Sequence, residues 1–317
     1  MKLFCLDENR SLAEAVAERS GVELAKHEER AFGNGEFKVR PLESVRHEQV
    51  FLCESVYGDA SRSPSDRLIR LLFFIGAVKD AGAGEIVVLL PYLAFMRKDA
   101  RTKERDPVAT RYIAAALETT GMDVIVTIDA HNLIAFDNAF RCAKENLSAA
   151  PLFAAHFGAR LRDAERIVAV SPDSGGVKRA RAFSVALGER LGRRVDLAFV
   201  EKHRSEGRVT GAAFAGDVQD AAVVIIDDLV SGGTTLARAA EACRERGARE
   251  VHAAATHAAY TASADEVLSS AGLESMVVTD TIPAASSRCP SMGKRQVVLE
   301  CSALLAAAVE RLRRTAV

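Results

Sequence analysis

The sequence predicts an α/β protein built from two copies of one unit, each a mostly parallel sheet with helices on both faces. Three observations predict it. Short apolar runs such as Val223–Ile226 alternate with stretches whose apolar residues recur at helical spacing, such as Leu236, Ala239, Ala240 and Cys243. Both halves run in the same order: strand, helix, strand, hairpin, strand, helix, strand. Gly82-Ala-Gly-Glu-Ile86 in the first half stands where Gly247-Ala-Arg-Glu-Val251 stands in the second.

In the first half, Lys2–Leu6 reads as a strand, Ser11 as the cap of a helix ended by Gly21, and Val22–Lys26 as a second strand. Phe32–Val39 reads as a turn feeding a hairpin strand, and Gln49–Glu54 as an apolar strand ending in an acid. Leu68, Leu71, Leu72, Ile75 and Val78 mark a helix face, and Gly84–Pro91 the next strand. Asp106 is placed as an N-cap with Pro107 at the first helical position, ahead of a core face of Ala109, Tyr112, Ile113, Ala116 and Leu117. Met122–Ile128 is a buried strand ending in Asp129-Ala-His131.

Pro151, opening a helix, puts the domain break near Ser148, so 1–147 and 148–317 are the expected domains. In the second half, strands at Ile167–Val170 and Val195–Val200 flank a helix over Lys178–Leu191. Glu201–Gly211 is a charged loop that leads into a hairpin, and Val223–Asp228 and His252–Thr256 are strands. Ser302 caps a final helix.

Composition limits the function. The chain is 49% hydrophobic and 27% charged with a formal net charge of −1, which suits a globular protein and argues against a dedicated nucleic-acid binder. Its six scattered cysteines form no C-x-x-C pair, as expected in a reducing cytoplasm. No apolar run reaches membrane-spanning length, and the N-terminus turns acidic too early for a signal peptide.

The most informative stretch is Val223-Val-Ile-Ile-Asp-Asp-Leu-Val-Ser-Gly-Gly-Thr-Thr-Leu236. A buried strand brings Asp227 and Asp228 to its C-terminal end, and a loop of Ser231, Gly232, Gly233, Thr234 and Thr235 opens a helix. Glycines let backbone N–H groups converge on one point, the helix N-terminus adds positive potential, and the hydroxyls add donors. That combination suits a phosphate monoester, with the two acids placed to accept sugar hydroxyls. No Gly-Lys-Ser/Thr follows, so it is not a Walker A loop. The matching loop of the first half, Ser55–Asp66, is about nine residues longer and lacks paired glycines, so the site is expected in the second copy alone.

Other strand ends carry candidate chemistry. Arg97-Lys-Asp-Ala-Arg-Thr-Lys-Glu-Arg-Asp106 is a solvated basic loop able to stack on a purine and fork onto phosphates. His131 can ligate a metal or contact a phosphate. Asp173, before a Ser-Gly-Gly turn, suits a ribose or metal–water contact. Lys178, Arg179 and Arg181 read as surface charge. Lys202, at the start of the Glu201–Gly211 segment, could close over a polyphosphate.

Together these stretches resemble the ribose-phosphate pyrophosphokinases, the phosphoribosyl pyrophosphate (PRPP) synthetases. Phe32-Gly-Asn-Gly-Glu36, Arg97-Lys-Asp99, Asp129-Ala-His131, Ser171-Pro-Asp-Ser-Gly-Gly176, Glu201-Lys-His-Arg204 and Asp227-Asp228…Thr235 are similar to that family's motifs, in the same order. The resemblance implies two type I phosphoribosyltransferase-like domains, with ATP-side loops on the first and the ribose 5-phosphate site on the second. It implies transfer of the diphosphoryl group of Mg²⁺-ATP to the C1 hydroxyl of ribose 5-phosphate, giving PRPP and AMP. ATP would be held by Phe32, Asn34, Glu36, Arg97, Lys98, Asp99 and His131. Ribose 5-phosphate would be held by Asp173, Asp227, Asp228 and Ser231–Thr235. His131 and Asp173 would hold Mg²⁺, and Lys202 and Arg204 would stabilise the transition state.

A homo-oligomer is expected, because Phe32 and Glu36 would serve a pocket shared with a neighbouring subunit. The departures are Asn34 for an Asp, Lys98 for a Gln, His203 for an Arg, and Thr234 for a loop glycine. Two alternatives stay open, a non-catalytic regulatory relative and a phosphoribosyltransferase that consumes PRPP.

Overall fold

The computed structural model describes residues 1–6, 9–205, 208–283 and 289–313, without the side chains of 201–205 and 208–213. It divides into two units, Met1–Leu147 with Thr281–Pro283 and Glu300–Val317, and Ser148–Asp280 with Ala284–Leu299.

The first unit holds β1 (Lys2–Phe4), α1 (Arg10–Ser20), β2 (His27–Ala31), β3 (Phe37–Pro41), β4 (Gln49–Cys53), α2 (Pro64–Asp80), β5 (Glu85–Leu90), α3 (Ala109–Thr119), β6 (Val124–Ile128), α4 (Leu133–Ala139) and β7 (Ala143–Leu147). Its sheet runs β1-β4-β5-β6-β7, parallel throughout. Strands buried on both faces explain the unbroken apolar runs. The second unit holds α5 (Ala150–Arg160), β8 (Ile167–Ser171), α6 (Val177–Leu191), β9 (Asp196–Ser205), β10 (Arg208–Ala215), β11 (Ala222–Val230), α7 (Thr234–Glu245), β12 (Glu250–Ala258), α8 (Ala264–Ser270), β13 (Ser275–Thr279) and β14 (Gln296–Leu299). Its sheet runs β10-β9-β8-β11-β12-β13-β14, with only the β9–β10 pair antiparallel. Each unit has its own apolar core, one around Phe4, Leu71 and Phe74, the other around Val223, Leu236 and Met276.

The ladders make the duplication explicit. Gln49 pairs with Glu85 at the start of β4–β5, and Ala222 with Glu250 at the start of β11–β12. Counting on from there, Glu54 and Ser55 stand where Asp227 and Asp228 stand. Most of the extra length of the first copy lies in its helix, α2 having 17 residues against 12 in α7. That corrects the expectation that the extra length sits in the loop.

The expected strand Val22–Lys26 is absent. A single bridge, Leu3 to Leu24, stands where β8–β9 pair along a ladder in the second copy. The strand forms later, as β2, outside the main sheet. His27-Glu-Glu-Arg-Ala31 is too charged for a central position, and it pairs with β3, where Glu28 meets Arg40 at 2.5 Å and Lys38 at 3.3 Å.

Three expected caps are corrected. Asn9 precedes α1, not Ser11, and its side chain makes no cap bond. Helix α3 begins at Ala109, because Asp106 organises the loop before it, and Tyr112 is 60% exposed rather than in the core. The final helix, α9 (Ser302–Leu312), has Ser302 as its first residue, and Ser302 Oγ accepts from Arg19 Nε at 2.9 Å. This helix packs on α1 and Gln49 Nε2 donates to Leu312 O at 2.7 Å, so α9 belongs to the first unit instead of closing a 148–317 domain.

Among the described residues no helix is long and apolar enough to cross a membrane. Five of the six cysteines are buried.

Candidate active site

In the second unit, β9 lies on one side of β8 and β11 on the other. Crossovers leaving in opposite directions open a crevice at the strands' C-terminal ends, the usual ligand position in such sheets. Here β8 brings Asp173 and β11 brings Asp227 and Asp228 to the same edge.

The loop after β11 has the expected form. Gly233 takes φ +79° and immediately precedes α7, whose N-terminal amides follow. A Cβ on Gly232 would meet nothing nearer than Thr261 Oγ1 at 3.6 Å, whereas a Cβ on Gly233 would strike Leu268 Cγ at 2.8 Å. Gly233 is therefore required by backbone conformation and packing, whereas a Cβ on Gly232 would make only ordinary contacts, with the Thr261 and Ser263 hydroxyls. Thr234 is already helical, so the Thr that stands for a loop glycine places no β-branched residue at positive φ.

The acid pair is only slightly accessible, with Asp227 at 18% and Asp228 at 6% side-chain exposure. Burial first, and then the adjacent Asp228 carboxylate, push Asp227 up from 3.8 to about 7. The Asp228 backbone N–H donates to Asp227 Oδ1 at 2.9 Å. Asp173 caps the short 3-10 turn Ser174–Gly176, its Oδ1 accepting from Gly175 N at 3.1 Å and Gly176 N at 3.2 Å.

The residue that the charge pattern misassigns is Arg179. It is not surface charge, for its Nη1 lies 3.1 Å from Asp228 Oδ1 and 3.6 Å from Asp227 Oδ1, at 16% exposure. The signal was in the spacing. Arg179, Phe183 and Leu187 recur every four residues, which places Arg179 on the buried face of α6. Lys178 and Arg181 are exposed, as expected.

In the first unit, two of the stretches read as nucleotide contacts are joined. Asn132 Nδ2 donates to Asp99 Oδ2 at 2.6 Å, and Asn132 Oδ1 caps α4 through Ala135 N at 3.2 Å. Thus the loop carrying Arg97 and Asp99 is fixed to the segment carrying the exposed His131. Phe95, Arg105 and Asp129 in these loops all have positive φ, at 72°, 67° and 44°. Non-glycine residues pay for that conformation and tend to collect at functional sites.

Lys98 is turned inward, its Nζ bonding Asp106 Oδ2 at 2.5 Å and Thr102 Oγ1 at 3.0 Å. Asp106 Oδ2 also accepts from Thr102 N at 3.1 Å and Lys103 N at 3.0 Å, and these donors, Lys98 first, hold it well below the usual carboxylate range. The charge of Lys98 thus organises the loop instead of facing an open ligand position.

Phe32–Glu36 forms the tip of the β2–β3 hairpin. Phe32 N donates to Glu36 O at 2.8 Å and Asn34 Nδ2 to Glu36 Oε2 at 2.9 Å, leaving Phe32 40% exposed. Glu201–Gly211, read as a charged loop, is built mostly of strand, since β9 runs to Ser205 and β10 resumes at Arg208. The side chains of Lys202 and Arg204 lie outside the described residues.

The first copy shows how its equivalent position is closed. Glu54 is buried, accepting from Leu6 N at 3.2 Å and from the Asn9 amide. Burial, reinforced by the nearby Glu29 charge, pushes its carboxyl well above the ordinary range. It is a buried hydrogen-bonded plug where the second copy has an arginine-paired couple of acids.

Residues 1–121 match the N-terminal domain of ribose phosphate pyrophosphokinase, and residues 198–316 match the phosphoribosyl synthetase-associated domain. A ribose-phosphate pyrophosphokinase of Hyphomonas neptunium is 34% identical, over 98% of this chain and 96% of its own. Ribose-phosphate pyrophosphokinase 1 of Streptococcus pneumoniae is 34% identical, over 89% of this chain and 85% of its own. The crystal structure of phosphoribosylpyrophosphate synthetase from Mycobacterium smegmatis is similar with a TM-score of 0.87 and 32% identity, covering 98% of both chains.

Proposed function

The chain belongs to the ribose-phosphate pyrophosphokinase family, and from that premise we propose the reaction and the residues that carry it. The protein is a ribose-phosphate diphosphokinase. The C1 hydroxyl of ribose 5-phosphate attacks the β-phosphorus of ATP, a C1–O–P bond forms, the bond between the β-phosphorus and its bridging oxygen to the α-phosphorus breaks, and AMP leaves as the hydroxyl proton is lost.

The observation that carries this reading is the glycine and hydroxyl loop at the head of α7, beside two acids at the sheet's switch point. Backbone N–H groups of Ser231–Thr235 hold the 5-phosphate, aided by the α7 dipole. Asp227 and Asp228 accept the ribose hydroxyls, and Asp173 stands at the neighbouring strand end. On the first unit, Arg97, Asp99 and His131 hold the nucleotide's phosphates and sugar. Phe32, Asn34 and Glu36 present an aromatic ring and an amide–carboxylate edge suited to an adenine, which in a homo-oligomer serves a neighbouring subunit. Lys202 and Arg204 stabilise the charge that builds on the transferring group.

Among the described residues no three His, Cys, Asp or Glu side chains gather as an all-protein metal cage. A single carboxylate such as Asp173 fits Mg²⁺, which keeps waters and phosphate oxygens and takes only one or two protein ligands. Asp173 in the second unit and His131 in the first are each a candidate ligand, and when bound the ion would neutralise charge on the polyphosphate.

The deciding assay is AMP release from Mg²⁺-ATP, measured with and without ribose 5-phosphate. Release that requires the sugar phosphate, and that Lys202→Ala abolishes without raising either KM much, is the expected result. A purified protein that binds both substrates and releases no AMP would instead favour the regulatory role.

A further inference from the structure

We propose that Arg179 is a positioning residue that holds Asp227 and Asp228 in the paired arrangement needed to receive the ribose. The inference rests on the reading of this site as the ribose 5-phosphate site.

The geometry is specific. One guanidinium nitrogen lies 3.1 Å from Asp228 Oδ1 and 3.6 Å from Asp227 Oδ1. Two carboxylates at consecutive positions, both largely out of water, repel each other strongly unless a cation stands between them. Left to themselves they splay apart, which spoils a sugar site whose hydroxyls must reach both carboxyl groups in one fixed arrangement. A guanidinium suits this position better than an ammonium, since its planar fork fixes direction as well as charge.

Arg179 is also anchored to the other half of the site. It stands in the first turn of α6, directly after the turn that Asp173 caps. A Cβ on Gly176 would lie 3.6 Å from Arg179 Nη1 and 2.7 Å from Ser171 Oγ, so the glycine keeps that approach clear. The side chain therefore couples the C-terminal end of β8 to that of β11, setting the distance between Asp173 and the acid pair.

The first copy serves as an internal control. Its acid at the equivalent place, Glu54, is held by an amide and a backbone N–H, while Arg10 at the head of α1 is exposed and pairs with Glu14 at 2.8 Å. There the acid is single and sealed by an amide and a backbone N–H. Where Arg179 reaches the strand end, two acids stand paired by one guanidinium and slightly accessible.

The test compares Arg179→Ala and Arg179→Lys with the wild type. Steady-state kinetics would give KM for each substrate, calorimetry the affinity for ribose 5-phosphate, and thermal melting the fold. We expect Arg179→Ala to weaken ribose 5-phosphate binding by about 10- to 100-fold, the size of a lost charged hydrogen bond. The KM for ATP should stay within about twofold. Millimolar guanidinium should restore part of the sugar-phosphate affinity in Arg179→Ala and none in the wild type. Arg179→Lys, which keeps the charge but loses the fork, should fall between the two.

Near-normal ribose 5-phosphate affinity in folded Arg179→Ala, or equal loss of both substrates with no rescue, would overturn the proposal. A wild-type protein that binds ribose 5-phosphate but releases no AMP would overturn the reaction, and the binding series would still decide the role of Arg179. A wild-type protein that binds no sugar phosphate would overturn both.

Discussion

Asn132 Nδ2 donates to Asp99 Oδ2 across 2.6 Å while Asn132 Oδ1 caps α4, so one amide clamps two loops that are 33 positions apart in sequence. Replacing Asn132 should therefore affect nucleotide binding without any contact to the nucleotide. Asn132→Ala should cost about 1 kcal/mol through the lost cap and raise KM for ATP several-fold. Asn132→Asp preserves the cap but sets a carboxylate against Asp99, so it should raise KM for ATP more while melting nearer the wild type. Equal KM values for the two variants would show that the clamp does not position Asp99.

The two loop glycines should separate binding from folding. A Cβ at Gly232 makes ordinary contacts with Thr261 Oγ1 at 3.6 Å and Ser263 Oγ at 3.9 Å, whereas at Gly233 it meets Leu268 at 2.8 Å from a backbone at φ +79°. Gly232→Ala should keep the melting temperature and lose ribose 5-phosphate affinity, because the methyl stands where a phosphate approaches. Gly233→Ala should lose stability by about 1–3 kcal/mol from strain and overpacking together. Ribose 5-phosphate titrations and thermal melts on the pair would reveal a reversed pattern at once.

Asp227 makes the stability of the ligand-free protein depend on pH. Its pKa rises from 3.8 to about 7 on folding, so between those values the folded chain holds more protons than the unfolded one. The contribution is complete below 3.8 and is lost as the pH climbs through about 7. Asp227→Asn should flatten that loss, melting above the wild type near about pH 8 and close to it near about pH 4. Melting curves taken in a chelator across this range check the sign. An unchanged slope in the variant would assign the dependence to other groups.

Glu54 should behave as an acid whose ionisation folding disfavours. Desolvation, then the charge of Glu29, push its carboxyl well above the ordinary range. Glu54→Gln should match or exceed wild-type stability at neutral pH, since an amide bears no cost of protonation. Glu54→Ala strands Leu6 N and the Asn9 amide and should cost about 2–4 kcal/mol. Denaturant unfolding of both variants distinguishes this plug from a buried salt bridge, for which the Gln variant would be clearly destabilised.

By itself the sequence determined the strands and helices with strong periodicity, the duplication, and the position of the glycine loop behind Asp227 and Asp228. Those features are local: a run of Val and Ile, a helical stripe ended by glycine and a pair of glycines before a helix each act within a few residues. Tertiary structure decided the rest. Lys178, Arg179 and Arg181 look alike in the chain, and only the crossing of α6 over the end of β11 separates the ion-paired Arg179 from its exposed neighbours. Asp106 looks like a cap until Lys98 and the Thr102–Lys103 amides fold around it. The final helix reads as the end of the second half, and Arg19 and Gln49 hold it to the first unit. Glu54 and Asp227 stand at equivalent strand ends, yet one is sealed by Asn9 and the other faced by Arg179. Partnerships of this kind depend on which side chains meet across tens of residues, and the periodicity of a single segment carries no record of that.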